Sequence, residues 1–158
     1  MKLKNWKPYL LSALIALGIG GLSGFLSMEG MGYYTEYVTK PALTPPGWLF
    51  PVVWTILYLL MGYAAYRAGQ SGSDWQEIYK AKRLYWIQLA LNFLWSPVFF
   101  GLKRYLLAFF ILVALWILIY LTMVRFSKLD KLAGDLLIPY LLWVTFAGYL
   151  NFGVFLLN

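Results

Sequence analysis

The sequence predicts an all-α integral membrane protein, one bundle of five transmembrane helices spanning residues 1–158, and three observations predict it. Hydrophobic residues make up 62% of the chain and charged residues only 12%, too little polar surface to clothe a soluble domain of this size. Apolar runs recur five times, at about 9–27, 48–66, 84–100, 105–124 and 136–157. At about 1.5 Å per residue, each suits a hydrocarbon core of about 30 Å, the third run being the shortest. Nearly all of the charge falls in the segments between these runs.

The first run follows Lys2, Lys4 and Lys7, the flank that a secretory signal peptide would also carry. No small-residue cleavage site follows it, and Ala16, Gly20 and Gly24 recur every four positions, a face on which a neighbouring helix packs closely. A retained helix fits better. That face and the end of the third run are also candidate contacts between copies of the chain.

The second run is entered through Thr44-Pro45-Pro46-Gly47, with Pro51 in its first turn, where proline costs little. Trp54, Tyr58 and Gly62 then form one stripe at i, i+4 and i+8. The third run carries a polar and aromatic stripe of Gln88, Asn92, Trp95 and Ser96. The fourth, with Phe109, Phe110 and Trp116, is apolar on every face and is expected to meet lipid or a second protomer. On the fifth, Trp143, Ala147 and Asn151 repeat every four residues.

The connection 28–47 is long and holds Gly30, Gly32, Tyr33, Tyr34 and Tyr37 before its rigid Pro-Pro exit. A loop of this length over a bundle is more often functional than idle, and it reads as a lid over the outer mouth. Lys and Arg fall unevenly on the two sides. The N-terminus, the second connection (Arg67, Lys80, Lys82, Arg83) and the fourth (Arg125, Lys128, Lys131) face Lys40, Lys103 and Arg104 alone. The positive-inside rule then puts the N-terminus in the cytoplasm, and the lid and C-terminus outside. Lys40, Lys103 and Arg104 would meet an anionic ligand at that mouth, or simply snorkel to the interface.

A net charge of +7 does not imply nucleic acid here, because the basic residues flank apolar runs and form no stripe. With no cysteine and no histidine, disulfides, thiolate or imidazole metal sites, Ser-His triads and the commonest haem ligands are excluded. The six acids lie outside the runs or at their ends, which disfavours ion-coupled transport.

Trp6, Trp48, Trp75 and Trp86 fit the interfacial belt that tryptophan normally occupies. Trp54, Trp95, Trp116 and Trp143 fall inside their runs and need packing or a ligand to explain them. Asn92 and Gln88 are either hydrogen-bonding links between helices or lining groups of a cavity. Convergence of the three stripes would make a pocket for a planar apolar ligand: flat rings, a few polar groups, and small residues that leave room.

Three segments carry a family resemblance: Lys40-Pro41-Ala42-Leu43-Thr44-Pro45-Pro46-Gly47-Trp48 with Pro51 and Trp54; Ala90-Leu91-Asn92-Phe93-Leu94-Trp95-Ser96-Pro97-Val98-Phe99-Phe100-Gly101; and Pro139-Tyr140-Leu141-Leu142-Trp143 on to Leu150-Asn151. In order and spacing the chain resembles the translocator protein family, whose bacterial members are called tryptophan-rich sensory proteins. The resemblance implies a five-helix bundle, frequently a homodimer, in a bacterial cell membrane. It also implies binding of protoporphyrin IX and of synthetic isoquinoline or benzodiazepine-type ligands beneath the first loop, with no metal and no required cofactor. Carried over by position, the ligand-binding residues are Pro41, Trp48, Trp54, Tyr58, Asn92, Trp95, Trp143 and Ala147. The cholesterol motif of animal members lacks its tyrosine and its base in Leu150-Asn151-Phe152, so sterol is not expected as a partner.

Three functions follow. The first is a receptor or sensor whose lid orders over bound porphyrin. The second is light- and oxygen-dependent porphyrin degradation with Trp54 and Trp143 as the catalytic residues, the photochemistry belonging to the ligand. The third is transport of tetrapyrrole or lipid.

Overall fold

A computed structural model describes residues 6–158, so Lys2 and Lys4 of the topology count lie outside the described residues. Helices account for most of the chain, and among the described residues there is no strand. In chain order they are α1 (Trp6–Leu26), α2 (Met28–Tyr37), α3 (Leu49–Gly69), α4 (Trp75–Ser96), α5 (Tyr105–Leu129), α6 (Lys131–Asp135) and α7 (Ile138–Leu157). Four segments are long and apolar enough to cross a membrane: Trp6–Leu26, Leu49–Gly69, Tyr105–Leu129 and Lys131–Leu157. The predicted third span is different. α4 begins at Trp75, well before the apolar run, and its first turns carry Glu77, Lys80, Lys82 and Arg83. A helix propagates through charged residues of good propensity as readily as through apolar ones, so hydropathy marked only its second half.

The 28–47 connection is not a plain loop. Its first half is α2, which lies on the end of α4 because Gly30 has no side chain: a Cβ there would run into the Phe100 carbonyl. Tyr34 packs edge-on against Phe100, at 5.3 Å between ring centres. Tertiary contact thus supports a helix in a segment that holds two glycines of low helix propensity, Gly30 and Gly32.

α4 passes into a π-helical turn, Pro97–Gly101. Pro97 has no N–H to give to the carbonyl of Phe93, and Ser23 of α1 supplies the missing donor at 2.8 Å. The wider turn is closed by Leu102 N–H to the Pro97 carbonyl at 2.9 Å.

α1 packs on α3 through small residues. A Cβ on Gly62 would lie 2.6 Å from Ala13 Cα, and one on Gly20 would enter the Tyr58 ring. Ala16 is fully buried at the same seam. Of the Ala16, Gly20 and Gly24 face expected as a contact between copies, Ala16 and Gly20 are therefore taken up within the chain, while a Cβ on Gly24 would meet nothing within 4 Å. At the opposite end from the lid, Arg67 pairs with Asp130 at 3.0 Å, and Asp130 also accepts from Leu132 N–H at 2.9 Å to cap α6. Leu112, Leu115, Ile119 and Phe126 of α5 fill the centre.

Candidate functional site

The middle of the bundle holds a directed chain of hydrogen bonds. Tyr58 on α3 donates its hydroxyl to Asn92 Oδ1 on α4 at 2.5 Å. Asn92 Nδ2 donates to the Tyr140 hydroxyl on α7 at 2.7 Å, and Tyr140 donates to Gln88 Oε1 at 2.7 Å. All four residues are buried. In an apolar medium each unpaired polar group would be costly, so the chain ties three helices at fixed register. Asn92 and Gln88 are thereby engaged as links between helices.

Around this chain the rings form a layer between α3 and α7, whose backbones barely approach one another. Trp54 lies 5.7 Å from Tyr58 and 6.3 Å from Tyr140, and Phe50 lies 5.9 Å from Trp143. On the outer side of that layer a groove of about 410 Å³ runs between the two helices, its wall including Val53, Leu57, Leu60, Trp143 and Phe146. Trp143 Nε1–H is buried there and has no hydrogen-bond partner, the one such side-chain group among the described residues. Buried indole N–H groups normally find an acceptor.

The predicted ligand residues thus divide. Tyr58, Asn92 and Trp54 share the central cluster, and Trp143 faces the groove. Ala147 is buried in the core that joins them. Trp95 is turned elsewhere: its Nε1 donates to Asn151 Oδ1 at 2.9 Å, and its ring stacks on Phe99 at 5.1 Å, beside Tyr34 of α2. Pro41 rests on Gly153 near the end of α7. Trp48 caps the start of α3 and is 68% exposed. Neither reaches the ring cluster. Sequence reasoning missed Tyr140, Phe50 and Phe146. Tyr140 stands three residues before Trp143, and Phe50 four before Trp54, so helical spacing alone could have added them.

A second groove, about 430 Å³, lies between α5 and α7 and includes Phe109, Trp116 and Phe152. Its indole is satisfied, because Trp116 donates to Thr145 Oγ1 at 2.8 Å. Trp143, in the wall of the α3/α7 groove, is by contrast a tryptophan whose buried indole N–H has no partner.

Residues 11–157 match the model of the TspO/MBR family. The tryptophan-rich protein TspO of Chlorobaculum tepidum is 45% identical over 144 residues, covering 91% of this chain and 90% of that protein. The tryptophan-rich sensory protein of Cereibacter sphaeroides is 41% identical over 154 residues, covering 98% and 93%. The human translocator protein is 34% identical over 151 residues, covering 94% and 89%. With these matches on top of four apolar helices of spanning length, the chain is an integral membrane protein that belongs to the TspO/MBR family.

Proposed function

We propose that this chain is a membrane receptor or sensor that binds protoporphyrin IX, or a similar flat apolar molecule, in the groove between α3 and α7. Family membership supports a sensor or translocator role in a membrane. The single observation that carries the ligand reading is the buried, unpartnered Trp143 Nε1–H beside an apolar groove of about 410 Å³. Apolar walls of this size with one free polar group suit a flat ligand that offers one acceptor. Isoquinoline and benzodiazepine-type compounds share that chemistry. The binding is metal-free and needs no cofactor.

In this reading α4 is the fifth span, the membrane is a bacterial cell membrane, the N-terminus is cytoplasmic, and the protein works as a homodimer. The test is titration of purified protein with protoporphyrin IX in darkness, following tryptophan quenching. Saturable quenching weakened by Trp143→Phe is expected; linear quenching equal to that of empty detergent would refute it.

A second reading is oxidation of bound porphyrin under light and dioxygen. Its support is the ring layer itself, in which Trp54 and Trp143 lie among Tyr58, Tyr140 and Phe50.

A further inference from the structure

We propose that Tyr149 is the catch of the lid, and that an aromatic ladder on α7 couples this catch to occupancy of the α3/α7 groove; the coupling rests on the ligand site proposed above.

After α2 the chain runs along the outer end of α7 as a strap, residues 38–48, and four contacts pin it there. Thr39 N–H donates to Asn158 Oδ1 at 3.1 Å, and Asn158 Nδ2 donates to the Thr39 carbonyl at 2.8 Å. Pro41 seats its ring where a side chain on Gly153 would stand. The Tyr149 hydroxyl donates to the Ala42 carbonyl at 2.8 Å. α2 is fixed at its N-terminal end, where Ser96 donates to Ser27 at 2.9 Å, and at its C-terminal end Lys40 Nζ folds back to the carbonyls of Thr35 and Val38. Residues 38–41 are therefore held from both sides, and the Tyr149 contact is the last pin before α3.

Immediately beyond that pin, Leu43 adopts a φ of 69° with its side chain 81% exposed. A leucine in the left-handed region is strained, and the turn that holds it there is closed by Thr44 Oγ1 donating to the Pro41 carbonyl at 2.7 Å. One neutral hydrogen bond at Ala42 is thus set against backbone strain at the next residue. Terms of opposite sign at adjacent residues give the strap an open position as well as a closed one.

The same tyrosine ends a ladder of rings that begins in the groove. Trp143 lies 5.6 Å from Phe146, and Phe146 lies 6.2 Å from Tyr149. Trp143 and Phe146 both line the groove. A flat ligand against these two rings fixes their rotamers, which fixes Tyr149 beneath Ala42 and favours the closed strap. An empty groove leaves the ladder free, and the strap opens at Leu43. Occupancy is thereby written onto the outer surface, where a partner can read it.

The chain has no cysteine, so spin labels can be placed on Gly47→Cys, where a Cβ meets nothing within 4 Å, and on the exposed Leu102→Cys. Pulsed electron–electron distances then report the strap. Without ligand, two populations are expected; Tyr149→Phe should enrich the open one several-fold, and Leu43→Gly, which relieves the strain, should enrich the closed one. Saturating protoporphyrin IX in the dark should collapse the wild type to the closed distance. In Tyr149→Phe, at a residue that does not line the groove, tryptophan quenching should persist while that collapse is lost. One unchanged distance in Tyr149→Phe and Leu43→Gly, with quenching intact, would overturn the catch alone. Absence of saturable quenching in the wild type would overturn the ligand site and with it the coupling, and the ligand-free pair of variants would still decide the catch.

Discussion

The Tyr58 hydroxyl reaches the amide oxygen of Asn92 at 2.5 Å, and this bond joins α3 to α4 within the apolar layer. Asn92 passes the interaction on to Tyr140 through its other end, so among the described residues it is the one that touches both tyrosines by hydrogen bonding.

Replacing it should therefore leave two buried hydroxyls short of a partner. Each such group costs about 1–3 kcal/mol, although competing partners in the unfolded membrane state reduce what is measured. Asn92→Ala is expected to lower stability by about 2 kcal/mol in detergent-induced unfolding. Tyr58→Phe combined with Asn92→Leu should cost less than the two single changes together, because no donor is then left facing a vacant acceptor. Strict additivity would argue against the shared network.

Trp143 and Trp95 should behave in opposite ways, although sequence spacing ranked them together. Trp143→Phe removes an indole N–H that bonds to nothing in the protein, so stability should change by about 0.5 kcal/mol or less. Porphyrin affinity should fall about five- to tenfold, the equivalent of one hydrogen bond of about 1 kcal/mol. Trp95→Phe breaks a bond to Asn151, and should cost about 1 kcal/mol of stability with little change in affinity. Calorimetry of each variant beside its quenching titration separates the two effects.

Glycine substitutions on α1 and α3 should sort by what a methyl group would meet. Gly62→Ala puts a Cβ 2.6 Å from the Ala13 backbone, which cannot swing aside. A loss of about 1–3 kcal/mol is expected from the forced separation of α1 and α3. Gly18→Ala meets nothing within 4 Å, and should be neutral or slightly stabilising through helix propensity. Thermal unfolding of the pair in one detergent decides it.

These particulars also show what the sequence could and could not convey. Hydropathy found α1, α3, α5 and α7 to within a few residues because lipid-facing helices must be apolar nearly all round. It placed the start of α4 nine residues late, at 84 against Trp75, since charge there marks emergence from lipid and not the end of a helix. α2 was invisible because its stability comes from the fit of Gly30 against Phe100, a contact between residues far apart in the chain. Period-four stripes picked out Trp54, Tyr58, Asn92 and Trp143, of which Tyr58 and Asn92 are buried and Trp143 lines the groove. They could not say that Asn92 is saturated and Trp143 is not, because that depends on which partners two other helices bring.

Asp130 has two duties that substitution can separate. It pairs with Arg67, both side chains being partly exposed at 20% and 28%, and it caps α6 through Leu132 N–H. Solvent screening holds the ion pair to about 1 kcal/mol or less, and an Asn in its place still caps a helix. Asp130→Asn should thus lose less than 1 kcal/mol and lose it in a salt-dependent way, whereas Asp130→Ala should lose about 1 kcal/mol more, independent of salt. Unfolding at two ionic strengths distinguishes them.

Whether α4 crosses the membrane fixes the sidedness of everything after it. Ten of the 13 Lys and Arg residues lie on the side assigned to the cytoplasm only if the helix before Lys103 is a span. If α4 instead lay along the surface, residues 71 and 102 would face the same compartment, and α5 would enter from the side of Arg67. The absence of cysteine allows a direct answer with single substitutions at exposed connections. On intact cells a membrane-impermeant maleimide should label Gly47→Cys and Leu102→Cys, and should label Ser73→Cys only after the cells are opened. Labelling of Gly47→Cys alone before lysis, with positions 73 and 102 both protected, would reduce the bundle to four spans and reverse the assignment of the C-terminus.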